Sequence, residues 1–370
     1  MRNQTITERD ISMIDPVAPG AGTGVRVRQR PVPAPHDALS FDDAGTWGGS
    51  RARRWLRPEE VVYLLFTLAL LGLALHTGRG HASLVALLGT PTAAVAGGIG
   101  TGLVLAAAAY RTRAPARAPG HAVAVGGITA AGRARAVLAD AVFTLRYVAL
   151  VLAWVAFYAV LHDITPALHP QVVDGWLVAA DRALFGTDVS RWLNDHLGSA
   201  VMTQVMTFCY LSYFVTPLVY SAWHYYRRNL TAYRDFALSV AFLGVLGYSG
   251  YALVPAVGPH LYQASLYPDP MPGSGPLIEV VRLIQGDARD AFPSLHTGFT
   301  IVLLYLMWRD LRRAFWVYLP VGLGLLLSTM YLRRHYAVDL LAGVAIAVVA
   351  VVAAVRLNRR WYARPAGAPG

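Results

Sequence analysis

Two histidines near the carboxyl end of the chain are the residues best suited to chemistry. His296 lies in the segment PSLHTG, and His335 lies in HYAVD with Asp339 four residues further on. Residues four apart on a helix share one face, so the Asp339 carboxylate can hold one nitrogen of the His335 ring. The other nitrogen, made more basic, would attack an electrophile such as phosphorus, with His296 as general acid.

The neighbours of these histidines indicate that the group under attack is an anion. Arg289, Arg333 and Arg334 flank the two motifs, and arginine binds phosphate oxygens through paired hydrogen bonds. Ser294 is suited to begin a helix, whose first backbone N–H groups can also face an anion. His260 is a further candidate for substrate contact, although an ordinary solvent-facing loop histidine is an equally good interpretation.

The chain between the two motifs is long enough to cross a membrane and return. The apolar runs 297–308 and 315–332 are joined by an arginine-rich turn at 309–313. Each run covers about one bilayer thickness when helical. His296 and His335 are therefore expected at the same membrane face.

Two other interpretations of the histidines stay open at this point. They could be polar residues that only end helices at a membrane interface, where His, Arg and Tyr are tolerated. The convergence of two histidines, a carboxylate and several arginines favours a functional cluster instead. Zinc ligation by the three motif residues, with His260 as a fourth ligand, is weaker because the sequence has no compact ligand pair such as HExxH or CxxC. We therefore expect no metal and no cofactor.

The segments PSLHTG and YLRRHYAVDLLAG resemble the second and third signature motifs of the type 2 phosphatidic acid phosphatase superfamily of integral membrane enzymes. More narrowly, they resemble its inositol phosphorylceramide synthase-like (inositolphosphotransferase) branch, over roughly residues 140–356. The resemblance implies that His335 attacks phosphorus, Asp339 orients it and His296 protonates the leaving oxygen. It also implies a membrane lipid as substrate and a lipid or polyol as acceptor of the transferred group.

The chain departs from the phosphatase form of these motifs in ways that favour transfer over hydrolysis. Ser328 and Thr329 stand where the phosphatase form has Ser-Arg, and the chain has no lysine with which to begin the first motif. A phosphatase acting on phosphatidate or a prenyl phosphate is the closest alternative. The segment ADRALFG is also similar to the phosphotransferase branch, and we expect its Asp181 to be structural or lipid-contacting rather than catalytic.

Composition predicts a polytopic membrane protein. The 370 residues are 55% hydrophobic and only 14% charged, and the mean hydropathy is +0.43. The net charge of +11 does not indicate nucleic acid, because the arginines are scattered between apolar runs. The single cysteine, Cys209, lies in an apolar run and is expected to pack rather than react.

The predicted fold is an all-α integral membrane protein of about eight transmembrane helices, the last six of which form a phosphatidic-acid-phosphatase-like core. The eight apolar runs are residues 61–77, 84–110, 147–161, 201–226, 236–254, 294–308, 315–332 and 336–355. The predicted parts are a disordered cytoplasmic tail (1–58), two accessory transmembrane helices (59–110), a basic cytoplasmic connector (111–145), the six-helix catalytic domain (146–357) and a cytoplasmic tail (358–370). Residues 172–197 are too polar to span and would lie along an interface, and the loop 255–292 would be a lid or binding segment.

The distribution of arginine predicts the orientation in the cell membrane. With both termini in the cytoplasm, 25 of the 32 arginines lie on the cytoplasmic side and seven outside. The histidine motifs then face outward, and four of the seven outer arginines lie in the segments around them. A non-catalytic scaffold or a transporter is the alternative from another class, although no internal repeat supports a transporter. The sequence leaves the oligomeric state open.

Overall fold

The structure is a computed structural model that describes residues 57–79, 130–227, 229–267, 271–273, 275–276, 278–279, 281 and 289–362. For residues 130–145, 147–148 and 225–226 only the backbone is described. The predicted disordered tail up to residue 56, the second accessory span at 84–110, the connector up to residue 129 and the last eight residues lie outside this set.

The described residues form helices, turns and irregular segments without any strand. The α-helices whose bounds the described residues define, numbered in chain order, are α1 (Pro58–His76), α2 (Ala130–Leu168), α3 (Asp174–Phe185), α4 (Val189–Leu197), α5 (Ala200–Tyr226), α6 (Leu230–Leu253), α7 (Pro259–Tyr262), α8 (Leu295–Asp310), α9 (Arg312–Tyr331) and α10 (Ala337–Trp361). Helix α2 begins 17 residues before the predicted run at 147, so the second half of the predicted connector is helical.

Six of these helices are long and apolar enough to cross a membrane: α1, α5, α6, α9, α10 and the 149–168 part of α2. A seventh predicted span corresponds to α8, which has only 16 residues and is about 24 Å long. Four neighbours, α5, α6, α9 and α10, pack around α8. The prediction of an all-α membrane fold with a helical core from α2 onward is confirmed.

The bundle places apolar side chains on its outside as well as in its core, which is the pattern of a protein surrounded by lipid. Leu65, Val201 and Val317 are 62%, 75% and 77% exposed, while Leu303 and Leu306 of α8 are fully buried. A water-soluble bundle would cover its exterior with charged residues. The chain is therefore a multi-pass membrane protein.

Close approach between helices fixes the start of α8. A Cβ atom on Gly343 of α10 would lie 2.5 Å from the carbonyl oxygen of Ser294 and 2.8 Å from the Cβ of Thr297. On the opposite side, Gly250 of α6 leaves the same kind of space for the Pro293 ring. Because side chains at these two glycines would collide with the backbone or ring of the α8 start, small residues let α6 and α10 hold it between them.

Paired charges fasten the opposite end of α8. The Arg309 guanidinium donates to Asp235 of α6 at 2.8 Å and to the neighbouring Asp310 at 2.7 and 2.8 Å. The Asn358 amide of α10 donates to the other oxygen of Asp235 at 3.0 Å. A buried charge in such a place is stable only when it is paired and hydrogen-bonded. α8 is thus attached to α6 and α10 at both ends.

The region 172–197 forms the two short helices α3 and α4, of 12 and 9 residues, as its polar residues predict. Trp176 and Leu184 project outward with 62% and 60% of their surface exposed.

Cys209 is buried, and its Sγ lies 2.7 Å from where a Cβ on Gly324 would be. The sulfur therefore fills the α5–α9 contact, as its expected packing role requires.

Substituting Gly343 by alanine is expected to lower stability by about 1–3 kcal/mol, because the added methyl group meets the Ser294 backbone. The matched control is Gly72→Ala on α1, where nothing lies within 4 Å of the new Cβ. That change should be neutral or slightly stabilising, since alanine favours helix over glycine. Thermal unfolding of both variants in detergent, followed by tryptophan fluorescence, measures the difference; equal midpoints would contradict this account of the α8–α10 contact.

Candidate active site

The two histidine rings are in direct contact at one end of the bundle. His335 Nε2 lies 3.1 Å from His296 Nδ1, and the ring planes are inclined at 65°. His296 is in the first turn of α8, while His335 lies two residues before α10 begins. Both rings are almost completely buried, with 7% and 2% of the residues exposed. The prediction that the two motifs return to one face is confirmed.

A backbone carbonyl determines which nitrogen of His335 carries the proton. His335 Nδ1 lies 2.7 Å from the Ala291 carbonyl oxygen, which can only accept a hydrogen bond. Nδ1–H is therefore the donor, and Nε2 keeps a lone pair in the neutral ring. That lone pair faces His296.

Asp339 supports His335 less directly than the sequence suggests. Its Oδ2 lies 3.5 Å from His335 Nδ1 and accepts a 2.9 Å hydrogen bond from the backbone N–H of Tyr336. The carboxylate thus caps the start of α10 and places a negative charge behind the imidazole, where it favours a positively charged ring. The sequence analysis missed Ala291, because a backbone carbonyl leaves no trace in residue type.

The segment that supplies this carbonyl, residues 289–292, is here called the strap. Ala291 N–H donates to the Ala256 carbonyl at 2.9 Å. Tyr158 of α2 donates its hydroxyl to Asp290 at 2.8 Å. Arg289, predicted to contact substrate, donates to the carbonyl of His169 just after α2. The strap is therefore held by α2 on one side and by the chain after α6 on the other.

A fully buried carboxylate on α3 fixes the chain that pairs with the strap. Asp174 accepts hydrogen bonds from the backbone N–H groups of Val257 and Gly258 at 3.0 and 2.8 Å. The Tyr336 hydroxyl, next to the nucleophile, donates to the same carboxylate at 2.9 Å. Burial and this carboxylate raise the pKa of Tyr336. Asp174 appears in the sequence only as an acidic residue near a helix start, so its long-range partners could not be predicted.

Asp181 of α3 caps the start of α10. Its two oxygens accept from Ala337 N–H at 2.9 Å and Val338 N–H at 2.8 Å. Burial raises the pKa of Asp181, and the two backbone donors act in the opposite direction. The side chain is only 2% exposed. Its contacts are those of the structural role expected for it.

Two residues expected to bind substrate are paired with each other. Arg334 Nη1 donates to His260 Nε2 at 2.9 Å, since a guanidinium has no acceptor. The His260 backbone N–H in turn donates to the Arg333 carbonyl at 2.8 Å. Gly258 has a φ of +82°, and a Cβ there would lie 2.4 Å from the Arg334 carbonyl oxygen. The VPAVGPH segment is therefore bound to the residues just before His335.

Arg333 and Ser294 are occupied by structural contacts. Arg333 has a left-handed backbone with φ 61°, donates from Nε to Asn194 at 2.8 Å and lies 4.2 Å over the Tyr267 ring. Burial lowers the pKa of Arg333. Ser294 is fully buried and caps α8 by accepting from Thr297 N–H at 3.3 Å. None of these contacts involves a histidine ring.

Two tyrosine rings pack against the His296 ring. Tyr210 and Tyr213 of α5 lie with ring centroids 4.7 and 4.3 Å from the imidazole. The other ring nitrogen, Nε2, is buried without a hydrogen-bond partner among the described residues. No group of three or more potential metal ligands occurs in the described part of the chain. The arrangement suits nucleophilic and acid–base chemistry at the paired nitrogens.

Comparison with known proteins agrees with this architecture. Residues 175–353, slightly less than half of the chain, match the family model described as PAP2 superfamily. The matched region runs from α3 into α10 and includes both histidines, Asp339 and Asp181.

An inositol phosphorylceramide synthase of Candida albicans is 29% identical over 212 residues, which cover 52% of this chain and 44% of that protein. The chain thus spans less than half the length of this curated relative. No solved structure matches the chain. The resemblance indicated by the two histidine motifs is confirmed by both matches, and residues 175–353 are the part of this chain that is similar to the PAP2 superfamily.

Proposed function

We propose that this protein is a membrane enzyme that transfers a phosphoryl group or a phosphorylated headgroup, such as an inositol phosphate, from a lipid donor to a hydroxyl acceptor. The reaction proceeds through a phosphohistidine intermediate on His335. The observation that carries the proposal is the nitrogen pair: His335 Nε2, made nucleophilic by the Ala291 hydrogen bond, faces His296 Nδ1 at 3.1 Å. In such a pair, one nitrogen can attack phosphorus while the other donates or accepts the proton.

In the first step, His335 Nε2 forms a bond to phosphorus, and the bond from phosphorus to the lipid oxygen breaks. Protonated His296 gives its Nδ1 proton to that oxygen and becomes neutral. Reacting atoms stand about 3–3.5 Å apart before bond formation, so the two rings, now in contact, must separate to admit the phosphoryl group. The Asp339 carboxylate behind His335 stabilises the positive charge that develops on its ring.

In the second step, an acceptor hydroxyl attacks phosphorus, its proton passes to His296 Nδ1, and the bond to His335 Nε2 breaks. Both rings return to their starting states. Water in place of the hydroxyl would make the enzyme a phosphatase, so the acceptor decides the reaction. A phosphatase acting on phosphatidate or a prenyl phosphate is the second candidate function, because both functions use the same residues.

The residues that replace the phosphatase motif favour transfer. Ser328 and Thr329 are fully buried, and their hydroxyls donate to carbonyls of their own helix at 2.7 and 2.8 Å. They are therefore already bonded inside α9 rather than directed at a phosphate. Arg334, which is hydrogen-bonded to His260, is the cation to which we assign the binding of the phosphate. The name of the Candida relative, a synthase of a phosphorylated lipid, also supports transfer.

We place the site on the outer face of the cell membrane, with both termini in the cytoplasm. The arginine distribution supports this orientation. Arg309, Arg312 and Arg313 lie at the end of α8 and the start of α9, whereas the histidines lie at the other ends of these helices. An outer site would draw its lipid donor from the outer leaflet.

Product analysis by mass spectrometry tests the reaction. Purified protein in detergent is given phosphatidylinositol, phosphatidate or a prenyl phosphate, together with diacylglycerol and ceramide, and His335→Ala and His296→Ala are the controls. Wild type should transfer a headgroup or phosphoryl group between lipids, and both variants should lose turnover by several orders of magnitude. Free phosphate as the only product would make the enzyme a phosphatase. Turnover surviving in His335→Ala would refute the nucleophile, and no turnover in wild type would favour a scaffold or transporter.

The Asp339→Asn variant is expected to lose most of kcat, but less than the roughly 10⁴-fold that the same change costs in a Ser-His-Asp triad. The loss should be moderate because the Ala291 carbonyl still holds Nδ1–H. The KM for the donor should change little. Steady-state kinetics measures both values, with the thermal midpoint as a folding control. An unchanged kcat would show that Asp339 only caps α10.

Cysteine labelling in intact cells tests the orientation. The chain has one cysteine, Cys209, which is buried and should not react. A membrane-impermeant maleimide should label Ser199→Cys, just before α5, in intact cells. It should label Arg313→Cys, at the start of α9, only after the membrane is permeabilised. The reverse pattern would place the site in the cytoplasm.

A further inference from the structure

Helix α3 holds the main chain around the nucleophile with one of its faces. Asp181 accepts from the first two N–H groups of α10 at 2.9 and 2.8 Å. Asp174 accepts from the Tyr336 hydroxyl at 2.9 Å. These partners directly follow His335 in the chain. A displacement of α3 would therefore move the backbone that carries the imidazole.

The other face of α3 is exposed and apolar. The structure describes this helix along its whole length, and its exposed residues are Gly175, Trp176, Ala179, Arg182, Ala183, Leu184 and Phe185. Arg182 is the one charged residue among them, and its guanidinium is paired with Asp188 at 2.7 and 3.2 Å. A helix face with so little charge suits an apolar neighbour rather than water.

Helix α4 presents a more polar face. Its exposed residues are Arg191, Trp192, Asp195, His196 and Leu197. Arg191 and Asp195 form an ion pair at 3.5 Å, and Trp192 stacks on His196 with ring centroids 4.5 Å apart. The two short helices therefore differ, since α3 suits an apolar neighbour and α4 suits water.

The position of α3 along the bundle identifies lipid as the apolar neighbour. Helix α10 has 25 residues and carries Arg359 and Arg360 in its last turn. At about 1.5 Å per residue it spans about 37 Å, so its two ends lie at the two edges of a hydrocarbon layer about 30 Å thick. Asp181 attaches α3 to the first turn of α10. One turn further along α10, Leu341 is 54% exposed, so α3 adjoins the lipid-facing surface of the bundle.

We infer that α3 lies in the lipid–water interface of the leaflet nearest the histidines, with Trp176 and Leu184 in contact with lipid, and that this contact holds His335 in position to react. Tryptophan is the residue typical of that depth. The partner is the bilayer interface itself and not an anionic headgroup, because Arg182 is already paired. The dependence of turnover on this contact rests on the proposed function, whereas the contact itself does not.

Fluorescence quenching in phosphatidylcholine nanodiscs tests the contact. A bimane label is attached to the full chain at Leu184→Cys, at Asp195→Cys on α4 or at Val348→Cys in the middle of α10; the native Cys209 is buried. Brominated phosphatidylcholine should quench the labels at 184 and 348, and aqueous iodide should quench the label at 195. A label at 184 that iodide quenches as strongly as the label at 195 would overturn the inference. One shielded from both quenchers would indicate a protein partner and would overturn it too.

Turnover in the same nanodiscs tests the dependence of His335 on the contact, with phosphatidylinositol, phosphatidate or a prenyl phosphate as donor. Leu184→Asp places a charge in the interface and should lower kcat by about tenfold. Leu184→Phe keeps the apolar contact and should retain the wild-type kcat. The matched control is His196→Asp, which adds the same charge to the exposed face of α4 and should leave kcat unchanged.

An unchanged kcat in Leu184→Asp, or an equal loss in the His196→Asp control, would overturn the dependence of turnover on α3. Absence of His335-dependent turnover in wild type would overturn the proposed function instead. In that case the quenching pattern still decides whether α3 contacts lipid.

Discussion

The hydrogen bond from His335 Nδ1 to the Ala291 carbonyl is the interaction on which the site depends. It fixes the tautomer, and the tautomer decides which nitrogen can attack. A carbonyl can do this only if its backbone is held still. The strap provides that rigidity through Ala256 on one side and Tyr158 on the other. The fold therefore has to position main chain as carefully as catalytic side chains.

Helix α3 performs much of this positioning with two buried carboxylates. Asp174 and Asp181 are seven residues apart, two helical turns, and so lie on one face. One holds the backbone at Val257 and Gly258, and the other holds the first N–H groups of α10. Unpaired, each carboxylate would be costly in such surroundings. Satisfied by backbone donors, each becomes a fixed point between segments that are distant in sequence.

The sequence predicts those parts of the structure that local pattern controls. Apolar runs located the spanning helices, and the distance between PSLHTG and HYAVD placed His296 and His335 at one end. Asp339 does lie beside the imidazole, but at 3.5 Å, because His335 precedes α10 and its Nδ1 proton goes to Ala291. Backbone partners cannot be seen in residue types. Asp174 and the Tyr158–Asp290 pair join positions that no spacing rule connects, and therefore only the folded chain reveals them.

The residues that support the strap extend beyond the region that matches the family. The region that matches the family begins at residue 175, yet Tyr158 and His169, which hold the strap, lie before it. The matched region by itself would keep both histidines and the bond to Ala256 but lose the supports from Tyr158 and His169. In a chimera whose residues 175–353 came from a relative, the strap would be that of the relative and α2 would be that of this protein. The natural unit of exchange is therefore the family region together with α2.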